Sequence, residues 1–88
     1  MKISNGYLLR SVAGKNIVVS VGSDTNFNGM LTLNDTGVFF WNLLSESTTK
    51  EKLLEEVLKE YDVSREEAQK DIDEFIEKLR EAKILEED

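Results

Sequence analysis

The 88-residue sequence predicts an α+β fold of winged-helix-like kind, a three-stranded antiparallel sheet followed by three helices. Two observations carry that expectation. Short β-branched, apolar runs with turn residues between them fill the first third of the chain. From Asn34 onward the apolar residues instead recur at helical spacing, and two Ser/Thr-x-x-Glu boxes mark later helix starts. The length allows one domain, residues 1–88, with too little chain for a second core.

Residues 7–13 (YLLRSVA) and 16–21 (NIVVSV) read as two strands joined by a tight turn at Gly14-Lys15. In the second, Ile17, Val19 and Val21 share one face, Val18 and Ser20 the other. Residues 22–29 (GSDTNFNG) are rich in turn formers, and Asn28-Gly29 tolerates the positive φ of a tight turn. Residues 30–33 (MLTL) form a third short strand, and such close connections imply antiparallel pairing. Asn34 is suited to cap a helix with Asp35 in its first turn. In that helix Val38, Phe39, Phe40, Trp41, Leu43 and Leu44 cover more than one face, so it is expected to be buried on more than one side.

Thr48 with Glu51 makes a capping box for a second helix, whose stripe is Leu53, Leu54, Val57, Leu58 and Tyr61. Ser64 with Glu67 opens the third, with Ala68, Ile72, Phe75, Ile76, Leu79 and Ala82 on one side. Ile84-Leu85 closes the chain before an acidic tail expected to fray.

Charge divides the chain. Residues 1–44 carry a net +1 and residues 45–88 a net −8, for a total of −7. The helical half has the wrong field for phosphates, so nucleic acid is not an expected partner. There is no Cys and no His, which removes thiol nucleophiles, thiolate metal sites and the commonest general base and zinc ligand. No run of 18 apolar residues or signal-like segment occurs, so a cytoplasmic, membrane-free protein is expected. The Asn34-Asp35-Thr36 sequon then reads as a chance match. A binding module is the leading class, with no catalytic residue and no cofactor.

Several patterns invite a sharper reading. Asp24-Thr25-Asn26-Phe27-Asn28-Gly29, followed by Asp35 at the twelfth position, follows the spacing of an EF-hand calcium loop. The twelfth residue is Asp rather than the longer Glu, and a strand rather than a helix precedes it, so a polar turn is the expected outcome. The carboxylates Asp71, Asp73, Glu74 and Glu77 read as a solvated helix face, with Glu74 and Lys78 an i,i+4 pair. Phe39, Phe40 and Trp41 read as core rather than a ligand pocket. The third strand is different: if it lies at the sheet edge, its unpaired backbone groups can accept an incoming peptide strand.

The block Leu33-Asn34-Asp35-Thr36-Gly37-Val38-Phe39-Phe40-Trp41-Asn42-Leu43-Leu44 resembles the PqqD-like family, whose signature is of the L-N-x-T-G-x-x-x-W-x-L-L type. The similarity extends over nearly the whole chain, through E-x-L-L-E-E-V, Tyr61-Asp62-Val63 and the final D-I-x-x-F-I-x-x-L. This resemblance implies a peptide chaperone, or RiPP recognition element, that captures the leader of a ribosomally made precursor peptide. The leader would add a strand to the third strand, beside the third helix, and be presented to a modifying enzyme, frequently a radical SAM enzyme. Carried onto this chain, the peptide-binding positions are Asn28, Gly29, Met30, Leu31, Thr32 and Leu33 for backbone pairing. Ile72, Phe75, Ile76 and Leu79 would supply apolar pockets, and the acidic last helix would favour a leader with flanking Lys or Arg.

The expected function is therefore a non-enzymatic adaptor, a monomer or weak dimer. The alternatives are a winged-helix transcription regulator, which the 7 acidic against 4 basic residues of 64–82 disfavour, and an orphan protein-interaction scaffold.

Overall fold

The computed structural model describes residues 1–20 and 31–87. In chain order the elements are β1 (Lys2–Ile3), β2 (Tyr7–Val12), β3 (Lys15–Ser20), β4 (Leu31–Leu33), α1 (Asp35–Leu43), α2 (Lys50–Glu60), α3 (Arg65–Glu81) and β5 (Leu85–Glu86). β2, β3 and β4 form an antiparallel sheet in that order, which places β4 at an edge. The expected three strands followed by three helices are thus present.

Local chemistry accounts for most of the element boundaries. The β2–β3 hairpin turns one residue earlier than the sequence suggests: Val12 pairs with Lys15, leaving Ala13 and Gly14 as a two-residue loop with φ of 52° and 79°. Positive φ at both central residues matches the twist of the flanking strands, so Lys15 is free to join the ladder. In β3 it is Val18 that is fully buried, while Ile17 and Val19 lie half-buried on the opposite face.

Each helix opens on a side-chain cap. Asn34 Oδ1 accepts from the Gly37 N–H at 2.8 Å, and Ser64 Oγ from the Glu67 N–H at 3.1 Å. The cap of α2 is Thr49, which accepts from the Lys52 N–H, and not the expected Thr48. The backbone of Thr48 is already engaged. Its N–H donates to the Met1 carbonyl and its carbonyl accepts from the Met1 nitrogen, both at 2.8 Å, which holds it in extended pairing.

The chain ends are tied down rather than frayed. β1 pairs with β5, the Ser4 N–H donates to the Ile84 carbonyl, and the Ile3 N–H reaches the Leu44 carbonyl. At the end of α3 the Ile84 N–H bonds the Leu79 carbonyl and the Lys83 N–H bonds that of Arg80, with Lys83 at φ 60°. This is a Schellman cap, and it carries Ile84 into the core. Glu87 then takes a two-pronged hydrogen bond from Arg80. Those hydrogen bonds, followed by the charge of the guanidinium, hold the Glu87 carboxyl below its ordinary range, and they raise Arg80 in turn.

The core lies between the sheet's inner face and the helices. Val18 and Leu33 meet Phe40, Trp41 and Leu44 of the first helix segment, Leu53, Leu54 and Val57 of α2, and Ala68, Ile72, Phe75, Ile76 and Leu79 of α3. As the crowded pattern of α1 predicts, its half-buried Val38, Phe39 and Leu43 pack on the same cluster. Phe39 meets Tyr61 edge-on at 5.4 Å and Phe40 packs on Phe75 at 5.5 Å, so these aromatics serve packing.

Candidate functional site: an edge strand beside a trough

β4 is joined to β3 by the pairs Asn16–Leu33, Ile17–Thr32 and Val18–Leu31. Among the described residues its other edge has no strand beside it. Period-two alternation turns Leu33 inward, where it is buried, and leaves Thr32 exposed. The chain passes from Leu33 through the Asn34 cap directly into α1, so the edge strand and the helix start form one wall.

Against that wall α3 leaves a trough. One part, about 120 Å³, is lined by Asn34, Thr36, Gly37, Phe40, Asp71, Glu74, Phe75 and Lys78. A second, about 290 Å³, is lined by Thr32, Leu33, Asn34, Gly37, Phe75 and Lys78. They share Asn34, Gly37, Phe75 and Lys78, so the trough runs continuously from the β4 edge to the first turn of α1.

Gly37 sets its floor. A Cβ at this helical position would lie 3.2 Å from Asn34 Oδ1, 3.2 Å from Leu33 Cβ and 3.5 Å from Phe75 Cε1. The first two are tighter than ordinary side-chain contacts, so the glycine lets the Asn34 cap and Leu33 close around the helix start.

The four apolar positions proposed on α3 separate in space. Phe75, 7% exposed, lines both parts of the trough. Ile72, Ile76 and Leu79 are at most 1% exposed and line neither part; they lie in the core that supports α3. On the strand side Leu31, Thr32 and Leu33 form β4, and Thr32 and Leu33 reach the trough. Asn28, Gly29 and Met30 lie outside the described residues. So does most of the calcium-like segment from Asp24; of its flanks, Lys15–Ser20 is a strand and Asp35 is the first residue of α1.

The charged residues divide as well. Asp73 pairs with Lys50 at 3.2 Å, tying α3 to α2, and Glu77 pairs with Arg80 at 3.0 Å. The side chains of Asp71, Glu74 and Lys78, at the trough, make no hydrogen bond or ion pair among the described residues. The expected Glu74–Lys78 pair does not form; both side chains border the trough instead. Asp71 and Glu74 are exposed, as a solvated face requires, but the sequence reading did not place them beside a trough. The available signal was their spacing, since residues 71, 74, 75 and 78 form one helical stripe that includes Phe75.

The comparisons with known proteins bear on this geometry. The family model described as Coenzyme PQQ synthesis protein D (PqqD) matches residues 16–85, which take in nearly all of β3, β4, all three helices and the trough but not β2. The chain belongs to the PqqD family. Two solved structures share its fold. "TbiB1 in Complex with the TbiA(beta) Leader Peptide" superposes with a TM-score of 0.77 at 23% identity, covering 98% of this chain and 95% of that one. "Lasso peptide synthetase B1 complexed with the leader peptide" gives 0.70 at 19% identity, covering 91% and 89%. A search of the curated proteins returns no match. Among the described residues no helix is long and apolar enough to cross a membrane.

Proposed function

We propose that this PqqD-family domain is a non-catalytic peptide adaptor. It binds the leader segment of a ribosomally made precursor peptide by strand addition to β4 and presents the rest of that peptide to a separate modifying enzyme. The observation that carries this reading is the coincidence of an edge strand with a trough that opens beside it. Backbone groups on the edge of β4 supply sequence-independent affinity, and the trough receives alternate side chains of the added strand. Both solved relatives named above were determined with a leader peptide bound, which supports the same reading.

The contact residues on this chain are Leu31, Thr32 and Leu33 of β4 with Phe75 of α3, joined by Asn28, Gly29 and Met30 as a backbone extension. Ile72, Ile76 and Leu79 act from beneath, by holding Phe75 and its helix in place. Chemistry on the precursor belongs to the partner: the trough offers exposed carboxylates, an amine, a phenyl ring, the Asn34 amide and the hydroxyls of Thr32 and Thr36, and among the described residues neither hydroxyl is hydrogen-bonded to a base. Binding alone leaves the adaptor chemically unchanged and needs no cofactor. A cytoplasmic site of action, where precursor and modifying enzyme are made, fits this role.

The test is fluorescence anisotropy with labelled leader peptides encoded by short reading frames beside the gene. Micromolar or tighter binding that is lost in Leu31→Pro is expected, because proline cannot continue the backbone pairing. Circular dichroism checks that variant's fold. Lys78→Trp, an exposed change that occludes the trough, reports on the site if Leu31→Pro unfolds. Binding that survives trough occlusion, or no binding by any neighbouring leader, overturns the proposal.

A further inference from the structure

The trough has a charge order along its length, and that order restricts what can lie in it. Asp71 and Glu74 line only the part beside the first turn of α1, whereas Lys78 lines both parts and is, among the described residues, the one charged residue lining the part beside Thr32. Between them Phe75 faces Gly37. None of the three charged side chains has a partner among the described residues, whereas Asp73 and Glu77, turned elsewhere on α3, are paired. A peptide strand lying in the trough therefore meets charge of both signs, with Phe75 and Gly37 between the acidic end and Thr32.

The spacing can be matched to an extended chain. Seven residues of helix from Asp71 to Lys78 advance about 10 Å. Side chains on one face of a strand recur every ~6.6 Å, so three successive trough-facing residues span about 13 Å and cover both ends.

Resting on the adaptor reading, we propose that the trough selects a peptide whose trough-facing residues, at alternate positions, are basic, aliphatic and acidic in that order from the Asp71 end to the Thr32 end, whichever way the chain runs. The basic residue lies against Asp71 and Glu74, the aliphatic one over Gly37 and Phe75, and the acidic one beside Lys78. The selection is one of register as well as sign. A one-residue slip turns all three side chains out of the trough, and a two-residue slip sets a charge over Gly37 and Phe75. Leaders of the same net charge but different order are thereby distinguished.

The experiment pans a displayed library of random 12-residue peptides against the full chain, against Asp71→Lys/Glu74→Lys and against Lys78→Glu. Lys78→Trp, with the trough blocked, serves as the control. The wild-type domain is expected to enrich peptides with a basic and an acidic residue four apart around an aliphatic one. Reversing either end is expected to invert the sign preferred at that end only, and to weaken a wild-type-selected peptide about three- to tenfold. Its binding also weakens between 50 and 500 mM NaCl. Peptides that enrich on the wild type but not on the blocked control, with no charge order or with the same order on the reversed variants, overturn this inference and leave the adaptor reading standing. Failure of the wild type to enrich anything over the blocked control sinks the adaptor reading itself.

Discussion

On the side of α3 that faces the core, Ile72, Ile76 and Leu79 are at most 1% exposed and pack among Val18, Leu44, Leu53 and Ile84. On the side that faces the trough, Asp71, Glu74 and Lys78 stand exposed, their side chains without a partner among the described residues, with Phe75 between the two regimes. One helix thus serves two purposes. Its buried stripe contributes free energy by removing apolar surface from water, at about 25 cal/mol per Å². Its trough stripe contributes little to folding and keeps its charges available. The difference teaches that an apolar stripe on a helix marks where the fold is held, and that an open trough begins at the stripe's border.

The largest effect expected from breaking this division is on the buried side. Leu79→Ala removes a fully buried side chain and leaves a cavity under α3, at a cost of about 2–5 kcal/mol. A domain of this size loses about 4–8 °C of melting temperature per kcal/mol, so calorimetry should show a drop of about 10 °C or more. Glu74→Ala, five residues away across the helix, should stay within about 0.5 kcal/mol of the wild type. A comparable loss from both substitutions would mean that the trough stripe is structural.

A smaller and more diagnostic effect is expected at Gly37, where the two regimes touch. Alanine gains about 1 kcal/mol of helix propensity over glycine. Its Cβ, however, would press on Asn34 Oδ1 and Leu33 Cβ at 3.2 Å, and crowding of that kind costs about 1–3 kcal/mol. The expected result is a net loss of about 1 kcal/mol, read by urea unfolding, together with weaker peptide binding. A gain of about 1 kcal/mol would show that the helix start relaxes freely and that glycine is not required there.

How much of this was legible in the sequence depends on the range of the interactions involved. The helices were readable because their signals are local. Asn34 and Ser64 cap helices within three residues of themselves, and the apolar spacing of α2 and α3 matches their buried faces. The features that were missed depend on partners far away in the chain. Thr48 fails to cap α2 because Met1 takes its backbone groups, and Leu85 and Glu86 form a strand because Ile3 and Lys2 pair with them. The site divides in the same way. The family resemblance named Phe75 together with the buried Ile72, Ile76 and Leu79, whereas the position of Asp71 and Glu74 at the trough depends on where the first turn of α1 comes to rest.

The smallest effect sharpens the comparison by separating stability from binding altogether. At the end of α3, Lys83 sits at φ 60°, a left-handed conformation that costs a residue with a Cβ about 1 kcal/mol and costs glycine little. It is tolerated because the Ile84 N–H bonds the Leu79 carbonyl and the Ile84 side chain is buried with the same core. Lys83→Gly should relieve that strain while keeping both hydrogen bonds of the cap, for a gain of about 0.5–1 kcal/mol. The expected gain is below the full strain because glycine also frees the unfolded chain. Lys83 lines neither part of the trough, so peptide affinity should be unchanged while the unfolding midpoint rises. A midpoint that rises together with a change in affinity would show that the end of α3 is coupled to the trough, and that the two sides of the helix are not independent.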